Sequence, residues 1–435
     1  MITKNVSKMF NGVFYGWWIV LASSIICMLG YGLGLYSFGV FFKPMMNEFG
    51  WTRAMTAGAY SLRSIQGGIF SPVLGWATDK YGPRIIIIFG ALVLGLSFIL
   101  MYFIKSLFGF YLVNGLLISL GMSAMLYLPT MTAISNWFVR KSSRALSVLA
   151  IGAGVGGFVC APAAAFLIKY LGWRLSFVIV GIVIWVVVLP LSLVIKHRPE
   201  DMGLRPDGDP PEEEQKLEDN QVPGESMPGE PPGRDWTLKE ALLSKSYWIL
   251  TISFVLSGLA HSVINVHLVP ALTDMGFSPE KAAFSLGLMV LISIVGRLSF
   301  GWLGDFFDKR YLFITTYLIQ AVAIFILIAI QNMFLVYIFI VLYGIGFGGG
   351  IPLDPAIRVE YFGRAAFAKI GGFMAPMFMI AGIIGPLLAG HVFDVTGTYN
   401  IIFALIAVLQ IVGAIVIVFA RPTETPRGKE AVKTA

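Results

Sequence analysis

Long apolar runs separated by short polar turns recur along the whole chain. A helix that crosses the hydrocarbon core of a bilayer needs about 20 apolar residues, and these runs have that length. They are continuous rather than alternating, which argues against a membrane β-barrel. The pattern predicts an all-α membrane protein with twelve transmembrane helices, here called segments 1 to 12. The segments fall at 14–38, 54–76, 84–104, 108–132, 144–168, 174–196, 247–271, 282–303, 311–331, 334–357, 366–390 and 399–420.

A polar stretch divides the twelve segments into two sets of six. Its centre, from Pro210 to Pro232, is rich in proline, glycine and acidic residues, and such a composition cannot bury a core. We therefore expect an N-terminal six-helix bundle at 1–196, a cytoplasmic linker at 197–246, a C-terminal bundle at 247–421 and a cytoplasmic tail at 422–435.

The two halves repeat one another. GWATDKYGPR, from Gly75 to Arg84, follows segment 2, and GWLGDFFDKR, from Gly301 to Arg310, follows segment 8, an offset of 226 residues (301 against 75). FGWT at 49–52 and MGFS at 275–278 stand at the same offset. Matching landmarks at one offset indicate a duplicated six-helix unit, and many secondary transporters are built by such duplication.

Composition agrees with this architecture. Hydrophobic residues make up 57% of the chain and charged residues 13%, which is far from the balance of a soluble domain. The formal charge of +7 comes from Lys and Arg in short turns, so it indicates topology rather than a nucleic-acid partner. These residues favour the side that holds the termini and the linker, which predicts a multi-pass protein of the cell membrane with both termini cytoplasmic.

The sequence contains no sign of an enzyme, a cofactor or a metal site. Neither HExxH nor GxSxG occurs, and no inward pair of carboxylates is evident. The glycine-rich run 152–157 lies inside an apolar segment and follows no strand, so it is not a dinucleotide loop. Cys27 and Cys160 lie in apolar runs and suggest neither a disulfide nor a zinc motif.

The two repeated loops resemble the signature loop of the major facilitator superfamily. This resemblance covers the whole chain and implies two six-helix bundles, which rock around a central site. We also expect the protein to work as a monomer. The residues that carry the conformational motif are Gly75, Asp79, Lys80, Gly82 and Arg84, with Gly301, Asp305, Lys309 and Arg310 in the second copy.

Other motifs resemble the branch of monocarboxylate porters and oxalate/formate antiporters. They are YGWW at 15–18, NWF at 136–138, RPEDMGLRPDG at 198–208, and Gly296-Arg297 in segment 8. The resemblance implies transport of small carboxylates, with Arg297 paired to the substrate carboxylate. Many monocarboxylate porters carry an acid four residues before this arginine, where this chain has Ser293. The oxalate antiporters add a membrane lysine in helix 11, but this chain has only Lys369, near the end of segment 11.

Physical chemistry points to Arg297 independently. An arginine within an apolar helix is costly in lipid, so it should face a cavity or the protein interior. No mid-span carboxylate is available as a partner, whereas a substrate carboxylate would accept two parallel hydrogen bonds from the guanidinium. The alternative is a structural arginine that donates to backbone carbonyls.

Further polar residues in the segments are candidates with open alternatives. Arg63 is a second anion contact or a gate, or it donates to carbonyls of the opposite bundle. His267 and His261 can donate to a substrate or carry a proton, or are satisfied by neighbouring helices. Asp354 is a third proton-coupling candidate, or pairs with Arg358 at i+4. The predicted substrate-binding residues are Arg297, His267, Asn265, Tyr127, Tyr36, Arg63, Ser293, Tyr343 and Phe347.

The sequence thus predicts a secondary transporter of monocarboxylates of lactate or acetate size, working by alternating access in the lipid bilayer. Proton symport is the first expectation, and exchange of carboxylate anions is the alternative, favoured by Ser293 at the acidic position. A carboxylate sensor that does not transport is a third possibility. The expected partners are a small carboxylate anion and protons, with no cofactor, metal or nucleic acid.

Overall fold

The computed structural model describes residues 14–138, 141–208, 236–304, 306–362 and 367–421. These parts are helical almost throughout, which confirms an all-α architecture. Ten helical stretches among the described residues are long and apolar enough to cross a membrane. They are Tyr15–Phe49, Pro83–Phe103, Leu107–Trp137, Arg144–Val194, Lys245–Asp274, Pro279–Leu303, Lys309–Ile328, Met333–Phe362, Ile370–Thr396 and Asn400–Val418.

The helices are numbered here in chain order. They are α1 (Tyr15–Leu29), α2 (Phe38–Phe49), α3 (Arg53–Tyr81), α4 (Pro83–Leu100), α5 (Leu107–Phe110), α6 (Ser119–Met125), α7 (Tyr127–Trp137), α8 (Ser142–Val194), α9 (Leu238–Leu243), α10 (Lys245–Asp274), α11 (Pro279–Leu303), α12 (Lys309–Ile328), α13 (Met333–Phe362), α14 (Phe367–Thr396) and α15 (Asn400–Val418). Two π-helical turns, Gly30–Tyr36 and Tyr111–Ile118, connect α1 to α2 and α5 to α6.

Two features account for the difference between ten stretches and twelve predicted segments. Helix α3 has 29 residues but includes Arg63 and Gln66, so it is less apolar than the others. Helix α8 has 53 residues, so it spans both segment 5 and segment 6. Gly172 inside it has non-helical angles (φ 72°, ψ 164°), which bend the chain between 142–171 and 173–194.

Segment 1 is longer than expected. It was predicted to end at residue 38, but the π-helical turn Gly30–Tyr36 leads directly into α2, which continues to Phe49. Lys43, which follows the expected end of segment 1, therefore lies on a helix. Segment 11 also runs past its expected end at 390, because α14 continues to Thr396. Each extension brings charged side chains of different helices together, as described below.

The helices pack in two groups. In the first group, α1 and α4 pack along α8, and α3 packs on the second π-helical turn. In the second group, α11 and α12 pack on α13, while α14 and α15 pack on α10. The groups meet where α3 contacts α14, where α8 contacts α11, and where α2 contacts α10.

Glycines allow the closest of these contacts. A Cβ on Gly156 would strike the carbonyl oxygen of Met28, so α8 lies directly on α1. Likewise, a Cβ on Gly296 would strike the backbone of Ile345, and one on Gly348 would strike the carbonyl oxygen of Ser293. Small residues at helix contacts let backbones approach in this way. The α11–α13 contact fixes the position of Arg297, the residue after Gly296.

The two ends of the helix assembly differ. At one end, here called the linker end, Trp137 Nε1 donates to the carbonyl of Lys196 (3.2 Å), and Ser246 Oγ donates to that of Arg421 (2.6 Å). At the other end, here called the Arg53 end, Arg53 begins α3 of the first group and contacts Asp394 and Tyr399 of the second group.

Candidate functional site

Arg297 lies on α11 where this helix faces the first group. Its Nη1 donates to the carbonyl oxygen of Ala150 on α8 (3.2 Å). Its Nε is buried and has no hydrogen-bond partner among the described residues. The guanidinium therefore spans the gap between the groups and retains an unused donor. The bond to Ala150 is of the kind expected for a structural arginine, whereas the unused Nε donor suits a residue that awaits an anionic partner.

Tyr36, His261 and Phe347 surround Arg297 from three other elements. Arg297 lies within electrostatic and hydrogen-bonding reach of the Tyr36 hydroxyl, and within electrostatic reach of His261. His261 stacks on Phe347 with ring centroids 4.1 Å apart and an angle of 7° between the planes. The Nδ1 of His261 is buried without a partner among the described residues. The structure thus brings four of the predicted site residues together.

A cavity of about 800 Å³ adjoins this cluster. Ala150, the acceptor of Arg297, forms part of its wall together with His261 and Phe347. The cavity continues along α13 to Asp354 and Arg358, toward the linker end. Arg297 is not itself part of the cavity wall in this conformation, but it is joined to the wall through its hydrogen bond to Ala150. The cavity is large enough to hold a small organic molecule.

Other residues that were predicted to bind the substrate do not face the cavity in this conformation, or are not described. Ser293 Oγ donates to the carbonyl of Val290 (2.6 Å) within its own helix and is buried. Tyr343 is fully buried, stacks on Phe339, and its hydroxyl has no partner among the described residues. Tyr127 begins α7, but its side chain lies outside the described part of the chain.

Arg63 is bound entirely within the first group. Its Nη1 donates to the carbonyl of Gly34 (2.5 Å), and its Nη2 donates to Oδ1 of Asn114 (2.5 Å). Its Nε donates to the backbone carbonyl of Asn114 (3.2 Å), and the guanidinium lies over the ring of Phe38. The expectation that it would reach carbonyls of the opposite bundle is wrong, because α3 packs on the π-helical turns of its own group.

His267 lies away from this cluster and is fully buried on α10. Its Nε2 faces the carbonyl of Pro386 (3.0 Å), so Nε2 carries the proton. Its Nδ1 then accepts from the hydroxyl of Tyr399 (3.0 Å). Both ring nitrogens are occupied in a neutral imidazole. Asn265, two residues earlier, donates to the hydroxyl of Tyr60 (2.9 Å) and so links the two groups.

Ion pairs between the two groups close the Arg53 end, and the sequence did not predict them. Arg53 Nη2 contacts Oδ2 of Asp274 (2.6 Å), and Lys43 Nζ contacts Oδ1 of the same carboxylate (2.6 Å). Oδ1 of Asp394 accepts from the backbone N–H of Arg53 (2.9 Å), at the N-terminus of α3. Lys43, Arg53, Asp274 and Asp394 are called the closure cluster below.

The closure cluster separates charge between the groups. Its two cations belong to the first group and its two acids to the second. Nearby, Lys169 on α8 pairs with Glu280 on α11 (2.9 Å). Here too the cation belongs to the first group and the acid to the second. The charged residues at the predicted segment ends were the only sign of these ion pairs in the sequence. Their partners could not be assigned, because they lie up to 341 residues away along the chain.

Asp354 pairs with Arg358, as the i+4 spacing suggested. Arg358 Nη2 donates to Oδ2 of Asp354 (2.6 Å). The other oxygen, Oδ1, is buried and has no hydrogen-bond partner among the described residues. This carboxylate lines the cavity and keeps one acceptor unused.

The second signature loop is held by ion pairs at the linker end. Lys309 Nζ contacts Oε2 of Glu360 on α13 (2.6 Å), and Arg310 donates to Asp308 and to the carbonyl of Ala420 (3.1 Å). The hydrogen bonds from Arg310 hold the pKa of the Asp308 carboxyl below its usual range. Gly301 lies near Pro352 of α13, and Asp305 is outside the described residues.

In the first loop, Gly82 has φ 83°, an angle that favours glycine, and joins α3 to Arg84 in the first turn of α4. Lys80 Nζ lies 4.8 Å from the ring centroid of Trp76. Gly75 lies close to Leu128 of α7, and the side chain of Asp79 is outside the described residues. Both loops are thus at the linker end, next to the helices they join.

The fold and both loops can be compared with known families. The family model described as Major Facilitator Superfamily matches residues 24–305 and, in a second match, 250–435. The chain belongs to the Major Facilitator Superfamily. It is therefore a multi-pass membrane transporter rather than an enzyme, and the double match fits its repeated halves.

Curated proteins from animals and bacteria are similar to this superfamily member over most of their length. Monocarboxylate transporter 13 of Bos taurus is 28% identical over 423 residues, covering 95% of this chain and 92% of the bovine protein. Monocarboxylate transporter 12 of Rattus norvegicus is 25% identical, covering 93% and 86%. The uncharacterized MFS-type transporter YcxA of Bacillus subtilis (strain 168) is also 25% identical, covering 92% and 94%.

Solved structures show the same superfamily fold. A bacterial homolog of the human lysosomal transporter Spinster, in an inward-facing and occupied conformation, superposes with a TM-score of 0.69 at 15% identity. The match covers 94% of this chain and 96% of the Spinster homolog. The fold of this transporter is therefore that of the superfamily.

Proposed function

We propose that this transporter moves monocarboxylates and that the substrate carboxylate binds Arg297. The supporting observation is the state of that side chain, which lies in an apolar helix beside a cavity with its Nε buried and unpartnered among the described residues. A carboxylate would satisfy the guanidinium with two parallel hydrogen bonds and neutralise its charge. The names of the mammalian relatives support the same substrate class.

We propose twelve membrane spans in two domains, with the boundaries expected from the sequence. Adding α3 to the ten apolar stretches and dividing α8 at Gly172 gives that number. The excess of Lys and Arg near the termini and linker then puts the linker end in the cytoplasm of a cell. The lipid bilayer is the surrounding partner, and a single chain contains the whole proposed site.

Alternating access is the proposed mechanism. The closure cluster joins the groups at the Arg53 end, while the cavity beside Arg297 extends toward the linker end. In the opposite state the closure cluster would separate, and a crevice of about 410 Å³ between α2, α8 and α10 would widen. Neutralising Arg297 with the substrate lowers the cost of enclosing its charge and so permits the change between states.

Proton symport is the first proposal for coupling, and the geometry supports His261 more than His267 as the carrier. His261 lines the cavity, and its Nδ1 has no hydrogen-bond partner among the described residues. His267 already uses both ring nitrogens. Asp354, paired with Arg358, is a second candidate. Exchange of carboxylate anions is the alternative, supported by Ser293 at the position where an acid would assist protons.

Uptake of radiolabelled lactate into proteoliposomes tests the proposal. Arg297→Lys should reduce uptake at least about 100-fold, because an ammonium group cannot reproduce the bidentate contact. Arg174→Lys is the matched control, since Arg174 pairs with Glu48 at the Arg53 end, away from the cavity. Near-normal uptake by Arg297→Lys would remove the site assignment.

The same vesicles separate the coupling modes. An imposed inward proton gradient should accelerate uptake without any anion inside the vesicles. Acceleration only by preloaded carboxylate would establish exchange, and saturable binding without uptake would indicate a sensor.

A further inference from the structure

A side pocket extends the cavity into the second group of helices. Its opening is at Gly350 on α13, where an added Cβ would meet only the ring of Phe313, 3.9 Å away, among the described atoms. Because α13 carries no side chain at this point, Phe313 and Tyr317 of α12 form part of the cavity wall. The space beside Arg297 therefore reaches past the helix that would otherwise enclose it.

The side pocket is mainly aromatic. Phe254, Phe313, Phe347 and Phe378 contribute rings from four different helices. The whole cavity, at about 800 Å³, has the size of pockets that bury drug-sized ligands. Phe254 and Phe313 are already 5% and 2% exposed, so the open aromatic surface comes mainly from Phe347 and Phe378. An acid of two or three carbons would leave much of that surface uncovered. A substrate with an apolar body would gain free energy by removing it from water.

One polar group interrupts the apolar wall. Asp354 gives Oδ2 to Arg358, which holds the carboxylate in place. Its Oδ1 is buried without a partner among the described residues. Although Oδ1 is enclosed, the side chain of Asp354 as a whole is 31% exposed. A donor group on the substrate can therefore bond to this carboxylate once the side chain turns Oδ1 toward the cavity.

The distance between Arg297 and Asp354 sets the length of such a substrate. Arg297 follows Gly296, which packs on the backbone of Ile345, so the guanidinium lies near the level of Phe347. Asp354 comes seven residues later on the same helix, a rise of about 10 Å. The carboxylate and the donor of a matching substrate are therefore about 10 Å apart along the helix direction.

We propose that the site prefers monocarboxylates with an aromatic or similarly bulky apolar body and a hydrogen-bond donor at the far end, over acids of acetate or lactate size. The carboxylate binds Arg297, the body fills the side pocket, and the donor bonds to Asp354. This rests on the proposed function, because Arg297 is taken as the carboxylate contact. It differs from the substrate size expected from the sequence.

The test compares three radiolabelled acids in proteoliposomes that hold the full chain. They are lactate, hydrocinnamate, and phloretate, which is hydrocinnamate with a para-hydroxyl group. We expect the half-saturation concentration to fall at least about tenfold from lactate to hydrocinnamate, because the ring is buried. We expect a further fall of about tenfold for phloretate, from the bond to a charged acceptor.

Two variants assign these gains to the proposed residues. Gly350→Leu fills the side pocket and should reduce the preference for hydrocinnamate over lactate about tenfold. Gly372→Ala is its control, since nothing lies within 4 Å of the added Cβ. Asp354→Asn weakens the acceptor and should reduce the preference for phloretate over hydrocinnamate about tenfold. Glu360→Gln is its control, since Glu360 lies on the same helix as Asp354 but pairs with Lys309 of α12.

The outcomes separate this proposal from the function it rests on. If lactate is taken up and Arg297→Lys abolishes uptake, but lactate saturates at the lowest concentration, the side pocket has no role and the proposal is overturned. Equal preferences in Gly350→Leu and in the unaltered protein would also overturn it. If none of the three acids is taken up or bound, the proposed function itself fails. The comparison of acids in the unaltered protein decides the matter even if a variant does not fold.

Discussion

The closure cluster offers a direct test of how the two groups of helices are held together. Asp274 is its centre, because each of its carboxylate oxygens contacts one cation of the first group, Lys43 or Arg53, at 2.6 Å. Asp274→Asn keeps the size of the side chain and removes its charge. The change should weaken only the state that is closed at the Arg53 end, since the contacts do not exist once the groups separate there.

The expected magnitude follows from burial. The Arg53 side chain is 6% exposed, while Asp274 is 30% and Lys43 is 23% exposed. A hydrogen bond to a charged group contributes about 1.5–3 kcal/mol when buried, and an exposed ion pair contributes about 0–1 kcal/mol. The asparagine retains one acceptor for Arg53. We therefore expect the closed state to lose about 2 kcal/mol, which raises the open fraction about 30-fold.

Cysteine labelling measures this fraction. Cys27 and Cys160 are both buried, and replacing them with alanine provides a background without reactive thiols. Ala165 is 4% exposed and lines the crevice at the Arg53 end, so a cysteine there is reached by a maleimide only after the groups separate. When opening is fast relative to the reaction, the labelling rate is proportional to the open population. Asp274→Asn should therefore accelerate labelling about 30-fold.

Glu48 provides a matched control at the same end. Its carboxylate accepts from Arg174 (2.7 Å) and from Trp173, but all three residues belong to the first group. Glu48→Gln should leave the labelling rate nearly unchanged, because the pair does not cross between the groups. An acceleration below about threefold for Asp274→Asn, or an equal acceleration for Glu48→Gln, would refute the role of the closure cluster.

Three further predictions use other contacts. Tyr399→Phe removes the hydroxyl that accepts from Arg53 and faces His267. The change should accelerate the same labelling reaction about fivefold. No acceleration would show that this hydroxyl does not stabilise the closed state. His261→Gln should flatten the pH dependence of uptake. His267→Gln should keep the pH dependence of uptake but lower the thermal stability of the protein. The opposite result for the two variants would make His267 the proton carrier. Gly348→Ala places a methyl group against the carbonyl of Ser293 and should lower the midpoint of thermal unfolding by about 1–3 °C. Gly372→Ala, whose added Cβ has no described atom within 4 Å, should not lower it, and equal midpoints would contradict close packing of α11 on α13.

The class of the protein and its superfamily could be read from the sequence. An apolar run of about 20 residues is a local property, summed along the chain, and it does not depend on which helices become neighbours. The repeated loops after segments 2 and 8 are equally local, and they sufficed to indicate the superfamily. Arg297 was identified for the same reason, because a charge in an apolar helix is conspicuous wherever the helix lies.

The partners of each polar side chain depended on the tertiary structure. Arg63, His267 and Arg297 are all polar residues inside apolar segments, and the sequence alone does not show which of them has partners in the protein. In the structure, each nitrogen of Arg63 and of the His267 ring is hydrogen-bonded, while Arg297 keeps Nε without a partner among the described residues. Nothing local to the chain distinguishes these cases, because the acceptors come from other helices.

The same reason explains why the closure cluster and the side pocket were not foreseen. Asp394 meets Arg53 across 341 residues, and any acid at the end of a segment was an equally good partner before the helices were packed. Gly350 opens the side pocket only because α12 lies behind it. Hydrophobic burial along each helix is specified residue by residue, whereas charge pairing and cavity shape arise from packing between helices that are distant in sequence.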